Sequence, residues 1–250
     1  ARVSVLGYDL TLPQVVVVFQ LASSEPNYAP GHIQHQWQAR LRGELQRTWP
    51  TCWVSSEARR IIALLPCSEE DAHIERELEQ AILSRLERVL ARYYSSAASN
   101  GAMPQLSGGV GRLARDITAI PQSYQQAQQA LEMGCRLFGD GKLHAFAQLG
   151  VYRLLFHLYG HSELSQFYAE TLGPLVDSDS RSNHALIETL EGFFRYNGNL
   201  SETARAMHLH RNSLLYRLGR IEELLGRSLE DPELRLSLQV ALKIRHLLER

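Results

Sequence analysis

The chain has 250 residues, 44% of them apolar, and a formal net charge of −1. That length holds about two domains with a sizeable core, and near-neutrality excludes broad coating of a polyanion, so any nucleic-acid contact is confined to a patch. Its three cysteines, Cys52, Cys67 and Cys135, are scattered without a Cys-x-x-Cys pair, which argues against a zinc ribbon and for free thiols in a reducing compartment.

Taken in order, Pro13 to Ala22 contains Val15-Val16-Val17-Val18-Phe19. This β-branched run predicts a strand buried on both faces. No apolar run in the chain is longer, and it is far too short to span a bilayer. No signal-peptide pattern precedes it, so a cytoplasmic protein without membrane attachment is expected. The chain begins Ala1-Arg2 without a methionine, and further sequence upstream is expected. Ser23 to Gly31 reads as a loop. His32 to Trp49 reads as an amphipathic helix with Ile33, Trp37, Leu41 and Leu45 on one side, ended by Pro50. Two strands, Cys52–Val54 and Ile61–Leu65, follow as a hairpin turning through Ser56 to Arg60. Asp71 to Tyr94 predicts a long helix with Leu78, Ile82, Leu86 and Val89 or Leu90 inward. Ser95 to Pro104 is a link, Gln105 to Gly111 a short strand, and Pro121 to Leu137 a helix. The order is strand, helix, strand, strand, helix, strand, helix. It predicts an α+β, ferredoxin-like βαββαβ domain with an added helix.

Leu149 to Leu172 reads as helical, broken near Gly160-His161. The polar run Asp177 to Ser182 is the expected domain boundary. Asn183 to Tyr196 is a helix leading into a pair. The pair's first helix, near Ser201 to Met207, carries the small residues Ala204 and Ala206, which let a second helix cross close by. The turn falls at His208, Leu209 and His210, and the second helix runs Arg211 to Leu225. Leu214, Leu215, Leu218, Ile221 and Leu225 are expected on its buried face. Asn212, Ser213, Tyr216 and Arg220 stand opposite, with Arg217 at the edge. Between Thr203 and Ile221 lie four arginines, two histidines and no acid. A tight helix pair showing such a face is a helix-turn-helix. Arg pairs with guanine edges and Asn with adenine edges, while hydroxyls and further Arg reach phosphates. Arg211, Asn212, Ser213, Tyr216, Arg217 and Arg220 are therefore the candidate contacts to double-stranded DNA. The plainer reading is an αα-hairpin with a solvated basic face. Asp231-Pro232-Glu233 then starts a final helix, Pro232 to Leu248, apolar around much of its circumference.

The run 198–226, with His210-Arg211-Asn212-Ser213-Leu214 at its centre, resembles the C-terminal Fis-like helix-turn-helix of the PucR/CdaR family of bacterial transcriptional regulators. Ser213 replaces the Thr usual in that family. Gly219 stands inside the second helix where the family usually has a larger residue. His208 occupies a turn position often filled by Gly in such motifs. The resemblance extends upstream to the family's degenerate GGDEF-like domain, whose closing segment is similar to Gly109–Arg112, Ser123–Leu131 and Leu149–Leu155. It implies three parts: a non-catalytic GGDEF-like domain over 1–145, a helical connector over 146–178 and a DNA-binding domain over 179–250. It also implies a small-molecule effector.

Two other readings compete: a cyclase-fold nucleotide enzyme and a protein-interaction module. A working GGDEF enzyme places a glycine pair and acids at the hairpin turn, and here Ser55 to Arg60 offers only Glu57 beside two arginines, a poor metal-ligand set. No enzyme activity, catalytic residue, cofactor or metal is expected. Gly108–Arg112 lacks the Gly-Lys-Ser/Thr ending of a phosphate loop and reads as a strand-end turn. His32/His35 and His157/His161 have ligand-like spacing on one helix face each, but without partner acids or cysteines nearby. A homodimer is expected. The candidate surfaces are Leu234, Leu238, Leu242 and Leu247 of the last helix, Leu154, Leu155 and Leu158, or the helix Asp71 to Tyr94.

Overall fold

The computed structural model describes residues 11–22, 32–57, 59–67, 75–95, 104–181 and 185–249, without the side chains of 32–35, 75 and 76. The chain divides into two compact units, 1–151 and 152–250. Most of the stretch expected as a connector, 146–178, therefore falls in the second.

In the first unit, β1 (Gln14–Leu21), α1 (His32–Thr48), β2 (Trp53–Glu57), β3 (Arg60–Pro66), α2 (Glu75–Ser95), β4 (Leu106–Ala114), α3 (Ile120–Phe138) and a short β5 (Leu143–Ala145) follow in turn. The sheet order is β2-β3-β1-β4-β5. Neighbours among the first four strands are antiparallel, and β5 joins β4 in parallel. This is the βαββαβ plan with the added helix α3, as expected, and β5 is a further strand that was not predicted. The predicted loops over 23–31 and 96–103, and residues 68–74, lie outside the described residues.

Alternation along β1 explains its burial on both faces. Val15, Val17 and Phe19 meet Trp37, Leu41 and Leu45 of α1 and Ile82 and Leu86 of α2. Val16 and Val18 meet Ala127 and Leu131 of α3. Each such fully buried side chain contributes about 1.5–3 kcal/mol. Buried Glu44 accepts from Arg47 at 2.9 Å and from Arg92 of α2 at 2.8 Å, which pins the two helices on that face.

Two expectations need correction. The hairpin turn is tighter than Ser56 to Arg60: Ser55, Ser56 and Glu57 belong to β2, and Glu57 pairs directly with Arg60. Nor is Gly108–Arg112 a strand-end turn. These residues lie inside β4, where α3 presses on the sheet. A Cβ on Gly109 would sit 2.0 Å from the Ala127 carbonyl oxygen, and one on Gly111 would sit 2.1 Å from that of Ser123. The glycines serve close helix–strand approach rather than a turn. A register shift between Val15 and Val17 accompanies this approach. Beside it the Val16 N–H donates to Ser123 Oγ at 3.2 Å, while that hydroxyl donates to the Arg112 carbonyl at 2.6 Å. The Val16 N–H is thereby satisfied beside the bulge.

The second unit is helical: α4 (Tyr152–His157), α5 (Ser162–Arg181), α6 (Leu186–Arg195), α7 (Leu200–Ala206), α8 (Arg211–Leu225) and α9 (Pro232–Leu248). Leu172 and Leu175 of α5 join Leu190, Leu214, Ile221, Leu238 and Leu242 in one core. α9 packs against α4 and α5, which explains its wide apolar surface. The polar run 177–182 carries α5 to Arg181. Its Asp179 reaches forward to cap α6, accepting from the Leu186 N–H at 2.8 Å and the Ile187 N–H at 3.0 Å. Asp179→Ala is expected to cost about 1 kcal/mol of stability, the loss typical of a helix cap, and Asp179→Asn less. Urea unfolding of the three proteins checks this. Among the described residues, no helix is long and apolar enough to cross a membrane.

Candidate nucleic-acid interface

Three consecutive helices build the candidate surface, and local signals place each one. After α6, Asn197 and Gly198 take left-handed backbone angles, φ 52° and 81°. Asn and Gly are the residues that tolerate this region best. Asn199 then caps α7, its side chain accepting from the Ser201 and Glu202 N–H groups at 3.1 and 3.2 Å. Ala204 is buried against the core, so close crossing rests on it alone, for Ala206 is exposed. The chain reverses at His208, whose φ of 54° explains why Gly is common at such turns. The Leu209 N–H donates back to the Ala204 carbonyl at 2.9 Å. His210 caps α8: its Nδ1 accepts the Asn212 N–H at 3.3 Å.

α8 begins and ends where the sequence predicts. Leu214, Leu218 and Ile221 are buried. Leu215 is a correction. At about 100° per residue it points well away from Leu214, and it is 44% exposed. The outward face carries Asn212, Tyr216 and Gly219, flanked by Leu215 and Arg220.

The six candidates divide three ways. Arg211, Asn212 and Ser213 are exposed over the first turn, and Tyr216 is 67% exposed one turn on. Arg220 is half-buried and its Nη1 lies 2.6 Å from Glu223 Oε2, so it arrives already paired with an acid just beyond the acid-free window. Arg217 is half-buried on the side toward α6, donating to the buried Thr189 hydroxyl at 3.2 Å. Its geometry suits holding α8 on α6. Arg205 and His208 are also exposed near the turn. They belong to the basic window but were not among the candidates, because the periodicity of α8 alone does not reach them.

The rest of the unit holds this face in place. The Glu222 carboxylate accepts the Leu229 N–H at 2.7 Å after α8 ends at Gly226, φ 64°. Asp231 caps α9 through the Glu233 and Leu234 N–H groups at 2.9 and 3.3 Å. The Arg227 guanidinium, 2.6 Å away, leads in holding the Asp231 carboxyl below the usual carboxylate range. Arg235 of α9 lies over the rings of Phe193 and Phe194 of α6, at 5.5 and 5.8 Å.

Elsewhere, His157 ends α4 while His161 lies beyond Gly160, φ 87°, so the expected pairing on one helix face is overturned. The side chains of His32 and His35 lie outside the described residues. Among the described residues, no group of three His, Cys, Asp or Glu converges to hold a metal ion.

Comparison with known proteins gives a consistent assignment. The PucR C-terminal helix-turn-helix domain family matches residues 186–244, and the GGDEF-like domain family matches residues 1–133. The chain is 28% identical over 172 residues to the purine catabolism regulatory protein of Bacillus subtilis, covering 69% of this chain and 31% of that one. It is 26% identical over 181 residues to the DNA-binding transcriptional activator AdeR of the same organism, covering 72% and 41%. It is 26% identical over 242 residues to the carbohydrate diacid regulator of Escherichia coli, covering 96% and 59%. The chain thus spans between 31% and 59% of the length of these relatives. With a GGDEF-like domain followed by a PucR-type helix-turn-helix, the chain belongs to the PucR/CdaR family of transcriptional regulators.

Proposed function

We propose that this protein binds double-stranded DNA sequence-specifically, laying α8 in the major groove, and couples that binding to a small metabolite. The observation that carries the reading is the two-sidedness of α8. Leu214, Leu218 and Ile221 anchor it to the core, while Arg211, Asn212, Ser213 and Tyr216 stand exposed from its first two turns. N-terminal residues of a recognition helix are the ones that reach base edges. Arg211 and Ser213 suit phosphates, and Asn212 suits an adenine edge. The relatives named for purine catabolism and for carbohydrate diacids support a catabolic metabolite as the effector. The protein is placed in the cytoplasm by this reading. Selection from random duplexes, followed by titration at rising salt, tests it. One enriched half-site, with affinity falling steeply with salt, is the expected result. No enrichment and no salt dependence would favour a protein-interaction module.

The protein is further proposed to act as a homodimer on half-sites roughly 34–36 Å apart, or a multiple of that. Leu234, Leu238, Leu242 and Leu247 close the core of one chain and are buried, as is Leu155. The interface proposed instead is α4 and the turn after it, where Leu154 and Leu158 are 69% and 46% exposed.

The GGDEF-like domain is proposed to be non-catalytic. Its hairpin places Ser55, Ser56 and Glu57 in paired β2 positions, with Ser56 bonded to Arg42 at 3.2 Å and no glycine pair to admit a triphosphate. Incubation with GTP or ATP and a divalent metal is expected to yield no cyclic product. Turnover that disappears in Glu57→Ala would overturn this.

A further inference from the structure

Two features of α8 are left unexplained by packing among the described residues. Leu215 is an apolar side chain left 44% exposed. Gly219, one turn later on the same face, weakens a helix interior, yet a Cβ built there meets nothing within 4 Å. Packing does not require glycine at this position. Together they form a depression of about 450 Å³, lined by Leu215, Tyr216, Gly219, Arg220 and Glu223. One wall is apolar, made by Leu215. The other is the Arg220–Glu223 pair, at 2.6 Å. The depression opens on the outward face of α8, one to two turns beyond Asn212 and Arg211.

We infer that this notch reads thymine, taking its 5-methyl group against Leu215 in the space that Gly219 leaves open. The inference rests on the DNA-binding reading above. In the major groove thymine is the base that projects a methyl group, and apolar side chains are what recognise it. A side chain at 219 would fill the notch and hold the base edge away from Leu215. Asn212 and Leu215 would then read neighbouring bases, one by hydrogen bonds and one by apolar contact, and the helix would discriminate thymine from cytosine without a further donor. The charged wall is neutralised internally, so it adds no strong pull toward a guanine at the same step. The apolar wall therefore decides the preference.

The test uses the whole chain and the half-site it selects from random duplexes. Each thymine of that half-site is replaced in turn by deoxyuridine, which removes only the methyl group. At one thymine, affinity is expected to fall about fourfold, the contribution of one buried methyl. Leu215→Ala is expected to bind the thymine and uracil duplexes equally, at the level the wild type shows on uracil. Gly219→Ala is expected to keep its fold and lose most of the discrimination. If a half-site is selected but every uracil replacement is neutral, the notch does not read thymine and the DNA-binding reading stands. A uracil penalty that persists undiminished in Leu215→Ala assigns the methyl to another side chain and overturns the inference. A selection that enriches nothing removes the DNA-binding reading and this inference with it.

Discussion

Gly109→Ala is expected to destabilise the first unit by about 3 kcal/mol, the upper part of the range for overpacking a dense core. The added Cβ would lie 2.0 Å from the Ala127 carbonyl oxygen and 2.6 Å from the Leu131 nitrogen. Both are backbone atoms of α3, so no rotamer change removes the clash. α3 would have to lift off the sheet, and its Ala127 and Leu131 are the residues that seal Val16 and Val18. A loss of that size is a large share of the ~5–15 kcal/mol that holds a domain together. Gly219→Ala is the internal control. Its Cβ meets nothing within 4 Å, and helix propensity alone predicts a gain of up to ~1 kcal/mol. Chemical unfolding of both variants, followed by circular dichroism, checks the contrast. An unshifted midpoint for Gly109→Ala would mean that α3 and β4 can separate without loss of packing.

The same glycines show where the sequence was legible and where it was not. Elements bounded by local chemistry were readable. Asp231-Pro232 fixes the start of α9, and the ends of α8 follow from the turn before Arg211 and from Gly226. The run Val15–Phe19 announced a strand buried on both faces because no polar residue interrupts it. What failed depended on which neighbour arrives from elsewhere. Gly108 to Gly111 reads locally as a turn, and only the presence of α3 over β4 gives Gly109 and Gly111 their role. Asp179 looked like part of a linker, since its partners, the N–H groups of Leu186 and Ile187, belong to the next helix, α6. In the site, the period of α8 placed Leu214, Leu218 and Ile221 correctly. It could not show that the core meets too narrow an arc to cover Leu215. Arg217 looked available because periodicity ignores Thr189, which belongs to a helix some 28 positions earlier. Likewise Glu223 lay just outside the basic window, so its claim on Arg220 went unread.

Asn212→Ala is expected to weaken binding to the selected half-site by about 1–3 kcal/mol, and to relax the preference at one base pair. Asn212 is the second residue of α8 and is exposed. Its backbone N–H is already held by His210 at 3.3 Å, so the side chain is not needed to cap the helix. Removing it should leave folding intact and alter only what the helix reads. A planar amide can donate to adenine N7 and accept from its N6 amino group, and no other base offers that pattern in the major groove. Arg211, its exposed neighbour, should behave differently. Arg211→Ala removes a cation without a base-specific geometry, so binding should weaken on all sequences and the salt dependence should drop by about one counterion. Arg217→Ala gives a third signature. Its guanidinium is bonded to Thr189, so the variant should lose thermal stability along with affinity. Anisotropy titrations on the selected duplex, on single-base variants and on a scrambled duplex, each at several salt concentrations, separate the three outcomes. An Asn212→Ala protein that keeps the wild-type base preference would remove Asn212 as a base reader and shift that role to Tyr216 or Ser213 on the same face.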